Sequence, residues 1–115
     1  MKRKVSELEG AALDWAVAKA EGYIDSYNSW LHEATVADVR DSGGYHPSVW
    51  WSSAGPIIER ERISVNFDDG GIPDWYGFYP NGSSETYGPT PLVAAMRCYV
   101  ASKLGNEIDV PDELA

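Results

Sequence analysis

The stretch YGPTPLVAAMRCYVASKLGNEIDVPDEL, residues Tyr87 to Leu114, decides the fold class because it carries both the start and the stop signals of a helix. Thr90 suits the cap that accepts unpaired amide groups, Pro91 fits the first turn, and Gly105 fits a left-handed exit. Apolar side chains between these ends recur at helical spacing, which predicts that one face packs on a core. This stripe comprises Leu92, Ala95, Met96, Tyr99 and Val100, with the stem of Lys103 at its edge.

Length and composition indicate a folded, acidic chain. The 115 residues suffice for one domain, and we predict a single domain over residues 1–115. Five Trp and seven Tyr within 43% apolar residues argue against disorder, because their burial offsets chain entropy. A net charge of −9 opposes attraction to phosphate backbones and anionic lipids. We therefore expect neither nucleic-acid nor membrane binding.

The N-terminal segment and the cysteine content indicate the same cellular compartment. The basic start Met1–Lys4 is followed by no apolar segment of signal or membrane length. Cys98 is the only cysteine, so it can form no internal disulfide and no zinc cluster of cysteines. The expectation is a soluble, unexported protein of a reducing cytoplasm.

A second helix is predicted near the start of the chain. Ser6 and Glu9 have the spacing of a capping box, and Gly22 is expected to end the helix. Trp15 is predicted to be a core residue, whereas Asp14 falls on the other side, so the helix is expected to lie half-exposed. Its apolar stripe comprises Leu13, Ala16, Val17, Ala20 and Ile24.

The middle of the chain predicts short elements. The broken apolar pattern of residues 23–44 is compatible with one or two short strands, and a short helix is expected near Trp51–Glu59. Ile63–Asp68 alternates as a half-buried strand does, Trp75–Tyr79 reads as the return strand, and Glu85–Tyr87 as a third. The turn signals are Asp69-Gly70-Gly71 and Asn81-Gly82.

These elements predict an α+β fold. Two main helices flank a small antiparallel sheet of about three strands, and a short extra helix completes the arrangement.

Several sequence blocks, taken in order, carry a resemblance to a known family. They are Leu8-Glu9-Gly10, Leu13–Gly22, Tyr45–Ser48 with Trp51, Gly55–Ile63 and Gly88–Gly105. Over about two-thirds of the chain they resemble the NinX-like family of small bacteriophage and prophage proteins. That family has no known function, so the resemblance implies a phage origin and a setting in the host cytoplasm. It implies no reaction, cofactor or catalytic residue.

Residue patterns typical of enzymes are weak in this chain. His32 and His46 lack metal-ligand spacing, and Cys98 is best interpreted as a packed thiol. Acidic and basic residues alternate over Glu59–Arg62, which indicates ordinary surface ion pairs. We predict no enzymatic activity, no catalytic residue, no cofactor and no metal. An enzymatic interpretation would return if the fold brought either histidine within hydrogen-bond reach of a buried carboxylate in a cleft.

Aromatic and arginine side chains favour a binding protein. Aromatic faces stack nucleobases and an arginine fork holds an anion, so we hypothesise a small anionic, nucleotide-type ligand. The alternative interpretation places most of these aromatics in the core. Of the two adjacent tryptophans, Trp50 is expected to be the exposed one. The hypothetical site comprises Tyr45, Trp50, Trp51, Arg60, Arg62, Trp75 and Arg97.

A second hypothesis is an effector that binds and inhibits a host protein through an acidic and aromatic surface. The tail Glu107–Ala115 is either such an acidic patch or a solvated end, and its apolar residues suffice for docking on the domain. Self-association is a further expectation, because small binding domains often complete pockets between subunits.

Overall fold

The fold is α+β, with one buried helix between a three-stranded sheet and the other helices. A computed structural model describes residues 1–23, 36–41, 44–69 and 74–114. In chain order the elements are β1 (Lys2–Lys4), a 3₁₀ turn (Val5–Glu7), α1 (Gly10–Ala20), α2 (residues 36–40), α3 (Trp51–Glu61), β2 (Ser64–Asp68), β3 (Asp74–Phe78), β4 (Glu85–Gly88), α4 (Pro91–Leu104), β5 (Glu107–Asp109) and a 3₁₀ turn (Asp112–Leu114).

Helix α4 is the central element, and its predicted ends are confirmed. The Thr90 hydroxyl accepts the Val93 N–H at 3.1 Å, Pro91 opens the helix, and Gly105 follows it with φ of 91°. Every residue in Leu92–Val100 is buried, so the prediction of a single core-facing stripe was wrong. The reason is that α4 contacts β2, β3 and β4 as well as α1 and α3.

The predicted three-stranded meander is confirmed. Strands β2, β3 and β4 form an antiparallel sheet in which β3 is central. Gly77 and Gly88 let the sheet approach the backbone of Ala94 closely, and the Thr86 hydroxyl donates to the Ala94 carbonyl at 2.8 Å. The sheet therefore sits directly on α4. Of the predicted Asp69–Gly71 turn, the glycines lie outside the described residues.

Helix α1 departs from its prediction at its start and in its burial. Residues Val5–Glu7 form a 3₁₀ turn and Glu9 is the N-cap of α1, so the predicted capping box does not form. The helix is buried on all sides over Ala12–Ala18, not half-exposed, because α4 packs on it and Asp14 contacts the segment before α3. Burial of Trp15 is confirmed. Gly22, with φ of 83°, follows the helix end as predicted, and Ile24 lies outside the described residues.

The segment predicted to hold one or two short strands is helical where it is described. Residues 36–40 form α2, whose Val36 and Val39 are buried, whereas residues 24–35 and 42–43 lie outside the described ranges. The short extra helix is confirmed as α3 and runs through Pro56. Within the described ranges, no helix has the length and apolar content needed to cross a membrane.

The two chain ends form a second, two-stranded sheet that the sequence did not predict. β1 pairs with β5 in antiparallel register, with Lys2 opposite Asp109 and Lys4 opposite Glu107. Opposite charges thus face each other across the ribbon. Val110 is 2% exposed, which confirms that the tail docks on the domain.

The helix cap of α4 supports a first prediction. Thr90→Ala is expected to lower the free energy of unfolding by about 1 kcal/mol, because the Val93 N–H loses its acceptor. Urea denaturation checks it, with Thr90→Ser as the control that keeps the hydroxyl. Equal losses in both variants would show that the cap contributes nothing.

Candidate functional site

The hypothetical ligand residues are spread over the fold. Trp51 opens α3 and Arg60 lies near its end. Nine residues of helix separate them by about 14 Å along the axis. Trp75 lies in β3, where its ring meets Phe67 with centroids 5.3 Å apart. The tryptophan pair and the arginines of α3 therefore mark opposite ends of one helix.

The Arg60 guanidinium is bound by neighbouring carboxylates. Nη2 donates to Glu21 at 2.7 Å and Nε to Glu61 at 3.1 Å, while the group lies 5.7 Å from the centre of the Tyr99 ring. Hydrogen bonds to Glu21 and then Glu61 raise the pKa of Arg60. The predicted ion pairing in this segment is confirmed. Arg62 is exposed at the helix end, with φ of 58°.

Arg97 is an internal crosslink. It is 9% exposed, and its Nε donates to the Leu8 carbonyl at 2.7 Å and its Nη1 to the Tyr87 carbonyl at 2.9 Å. Burial lowers the pKa of this guanidinium. Its observed contacts join the N-terminal segment to β4.

Two tryptophans of the hypothetical site are exposed together with the neighbouring Val49, just before and at the start of α3. Val49, Trp50 and Trp51, which we call the tryptophan patch, are 65%, 37% and 59% exposed. Both tryptophans are exposed and Trp51 more so, which corrects the expectation that Trp50 alone would be. A cavity of about 190 Å³ adjoins the patch and is lined by Ser48, Val49, Trp51, Thr90, Pro91 and Leu92.

A buried carboxylate holds the backbone that carries the tryptophan patch. Asp14, 2% exposed on α1, accepts the Ser48 N–H at 2.8 Å and contacts His46 Nδ1 at 3.3 Å. The His46 ring meets Trp50 edge-on, with centroids 4.9 Å apart. Tyr45 lies beside these residues and packs edge-on against Tyr23 at 5.8 Å. The patch is thus displayed on an anchored segment.

His46 lies between Asp14 and the backbone of Asp41. Its Nε2 contacts the Asp41 carbonyl, and its Nδ1 contacts the Asp14 carboxyl group. Burial raises the pKa of Asp14, while hydrogen bonds from Ser48 and His46 act in the opposite direction.

The structure brings His46 within hydrogen-bond reach of the buried carboxylate of Asp14, which is one of the two conditions set for an enzymatic interpretation. Both ring nitrogens of His46 have protein partners. His32 lies outside the described residues. Cys98 is fully buried, and burial raises the pKa of its thiol, which confirms the packed thiol.

Sequence reasoning missed Asp14 because helical periodicity placed it on an exposed side. The signal that could have found it is its position: it is the only polar residue in the apolar run Ala11–Ala18. A carboxylate in such a run needs a hydrogen-bond partner once the helix is buried on all sides.

The Asp14 pKa supports a second prediction. A carboxyl whose pKa is raised by folding binds its proton more tightly in the folded state, so lowering the pH favours folding. Relative to Asp14→Asn, the wild type should therefore gain free energy of unfolding as the pH falls from about 7 towards about 4, by less than about 1.4 kcal/mol per pH unit. Urea unfolding of both proteins across this range measures the difference. A difference that stays constant, or shrinks at low pH, would contradict the assignment.

Family membership can now be set beside this geometry. Within the described ranges, no three His, Cys, Asp or Glu side chains converge as a metal site would require. A comparison with curated proteins found no match. The family model described as "Bacteriophage P22, NinX" matches residues 4–103, which include α1, the tryptophan patch, the sheet and nearly all of α4. The chain therefore belongs to the NinX family of bacteriophage proteins.

Proposed function

We propose that this phage protein is a non-enzymatic effector that binds a host protein in the host cytoplasm through the tryptophan patch. The observation that carries the proposal is the exposure of Val49, Trp50 and Trp51, at 65%, 37% and 59%, beside a backbone anchored by buried Asp14. Exposed apolar clusters commonly mark interaction sites.

The chemistry of the patch favours a protein partner. Tryptophan is enriched among the residues that dominate binding energy at protein interfaces, because a large rigid ring fills a pocket at low entropic cost. The Ser48 N–H bond to Asp14 and the Trp50 contact with His46 hold the patch before binding. Preorganisation of this kind lowers the cost of association.

The charge of the chain supports a basic partner surface. A net charge of −9 speeds association with a positively charged surface and disfavours acidic ones. Membership of a phage family supports a host protein as the target.

A nucleotide-type ligand has less support, because Trp51 and Arg60 lie at opposite ends of α3 and Arg60 is bound by Glu21 and Glu61. A thermal-shift screen separates the two hypotheses. A ligand at a hundred times its dissociation constant adds about 2.7 kcal/mol, which would raise the midpoint by roughly ten degrees. Such a shift, lost in Trp51→Ala, would favour the ligand, and its absence favours the protein partner.

The direct test is photocrosslinking in infected cells. A photoreactive amino acid replaces Trp51 in one variant and Glu59, which is exposed further along α3, in a matched control. We expect one host-protein adduct from position 51 and none from position 59. With that partner purified, Trp51→Ala should weaken binding by about 30-fold, as expected for a residue contributing about 2 kcal/mol. Equal adducts at both positions, or unchanged affinity in Trp51→Ala, would overturn the proposal.

A further inference from the structure

A second cluster of aromatic side chains lies on the three-stranded sheet. Tyr76 in β3 is directly opposite Tyr87 in β4, and Phe78 follows Tyr76 by two residues on the same face. The ring centroids of Tyr76 lie 4.8 Å from those of Tyr87 and 5.0 Å from those of Phe78, the latter pair being stacked. We call these three residues the aromatic face.

The aromatic face points away from α4. The opposite face of the sheet carries Gly77 and Gly88, whose close approach to Ala94 places α4 on that side. Since side chains alternate along a strand, Tyr76 and Tyr87 stand on the other side. Tyr87 is 50% exposed, so its ring is accessible.

The strands and loops of the three-stranded sheet carry acidic but no basic residues. Between Arg62 and Arg97 the sequence contains no lysine, arginine or histidine, but it contains four carboxylates. Glu85 lies opposite Phe78, and Asp68 lies opposite Asp74 at the other end of the same face. The remaining carboxylate, Asp69, directly follows β2.

The tyrosines and carboxylates of this face are already oriented towards each other. The Tyr76 hydroxyl donates to Glu85, and this bond is the main cause that raises the pKa of Tyr76 to about 12. Partial desolvation and the neighbouring Asp68 raise the pKa of Tyr87. At neutral pH the phenols are therefore protonated, and the exposed Tyr87 ring offers a neutral π face beside the carboxylates of Asp68 and Glu85.

We propose that the aromatic face binds an extended, arginine-rich segment of a partner protein. A guanidinium stacks on an aromatic ring through the ring quadrupole and pairs with a carboxylate in the same plane. The stacking surface is supplied by the rings of Tyr76 and Tyr87, which are paired across β3 and β4. The carboxylate is that of Glu85, two residues before Tyr87 in β4. Arginine fits better than lysine, because a planar cation can satisfy a ring and a carboxylate together. None of these residues belongs to the tryptophan patch.

The test uses the full chain and a fluorescein-labelled peptide of six arginines, with anisotropy as the readout. We expect Glu85→Gln and Tyr87→Ser each to raise the dissociation constant about 3- to 10-fold. The matched control is Glu59→Gln, which removes the same charge from an exposed position in α3 and should change the dissociation constant less than about 2-fold. Trp51→Ala should leave it unchanged, so failure here is distinguishable from failure of the tryptophan patch.

Several outcomes would overturn the proposal. One is an equal loss of affinity in Glu85→Gln and Glu59→Gln, which would show attraction to overall charge alone. Another is that the NMR signals of backbone amides that shift on peptide binding belong to the acidic tail, Asp109–Glu113, and not to β2–β4. Tighter binding of a six-lysine peptide would also count against it. Thermal melts of Tyr87→Ser verify that this variant keeps the sheet. If the melting midpoint shows that Tyr87→Ser is unfolded, Glu85→Gln still tests the aromatic face, because Glu85 is exposed.

Discussion

Replacing Arg97 by alanine is expected to lower the free energy of unfolding by about 3 to 5 kcal/mol. Arg97 is 9% exposed and donates to the carbonyls of Leu8 and Tyr87, so its removal leaves both acceptors without this donor and a cavity beside α4. Leu8 and Tyr87 lie in segments that are far apart in sequence. The effect should therefore extend to the docking of the N-terminal segment on the sheet.

Thermal and urea unfolding measure this loss, which should lower the melting midpoint by roughly 10 to 20 °C. Arg97→Lys should recover only part of it, because one ammonium cannot reproduce the fork that reaches two carbonyls. Arg62→Ala is the matched control, since Arg62 is an exposed arginine. A loss below about 1 kcal/mol in Arg97→Ala would contradict the crosslinking role.

Gly88→Ala is expected to destabilise the protein by several kcal/mol, because the new methyl group would clash with the backbone of α4. A Cβ at Gly88 would lie 2.6 Å from the Ala94 nitrogen and 3.0 Å from Val93 Cγ1. The first contact is with helix backbone, which cannot rotate aside as a side chain can. Either β4 or α4 has to shift, and overpacking of this kind typically costs about 1 to 3 kcal/mol or more.

Urea unfolding of Gly88→Ala tests the sheet-to-helix contact, and Gly77→Ala tests it at a second point, where Cβ would lie 2.8 Å from the Ala94 carbonyl oxygen. Asn66→Ala is the control, since it places an alanine at an exposed position of the same sheet. We expect the control to lie within about 0.5 kcal/mol of the wild type. Glycine variants as stable as the control would show that α4 does not pack this closely.

The parts of the fold that sequence predicted correctly are those determined by neighbouring residues. The cap, first turn and exit of α4 are specified by Thr90, Pro91 and Gly105, each acting within one turn of the helix. The alternation over β2 and the turn signals specify the meander in the same local way. The apolar pattern of α4 predicts one buried face, whereas the structure buries the helix on both sides. Helical periodicity does not indicate whether a second element packs on the opposite face.

The parts that sequence missed depend on contacts between distant residues. Asp14 and Ser48 are 34 positions apart, and no local pattern indicates that α1 would carry the acceptor for the Ser48 amide. Arg97 was assigned to a ligand because its two carbonyl partners are backbone groups, which leave no trace in residue type. The predicted capping box failed because Gly10 follows Glu9 with φ of 57°, so the helix begins only at that point.

The ribbon of β1 and β5 makes the chain a candidate for circular permutation. Lys2 is opposite Asp109, and neighbouring strands lie about 5 Å apart, so a linker of a few residues can join the end of β5 to the start of β1. New termini could then be opened at the exposed Asn81-Gly82 turn, between β3 and β4. Such a chain would keep every strand pairing described above while its order along the polypeptide is rearranged.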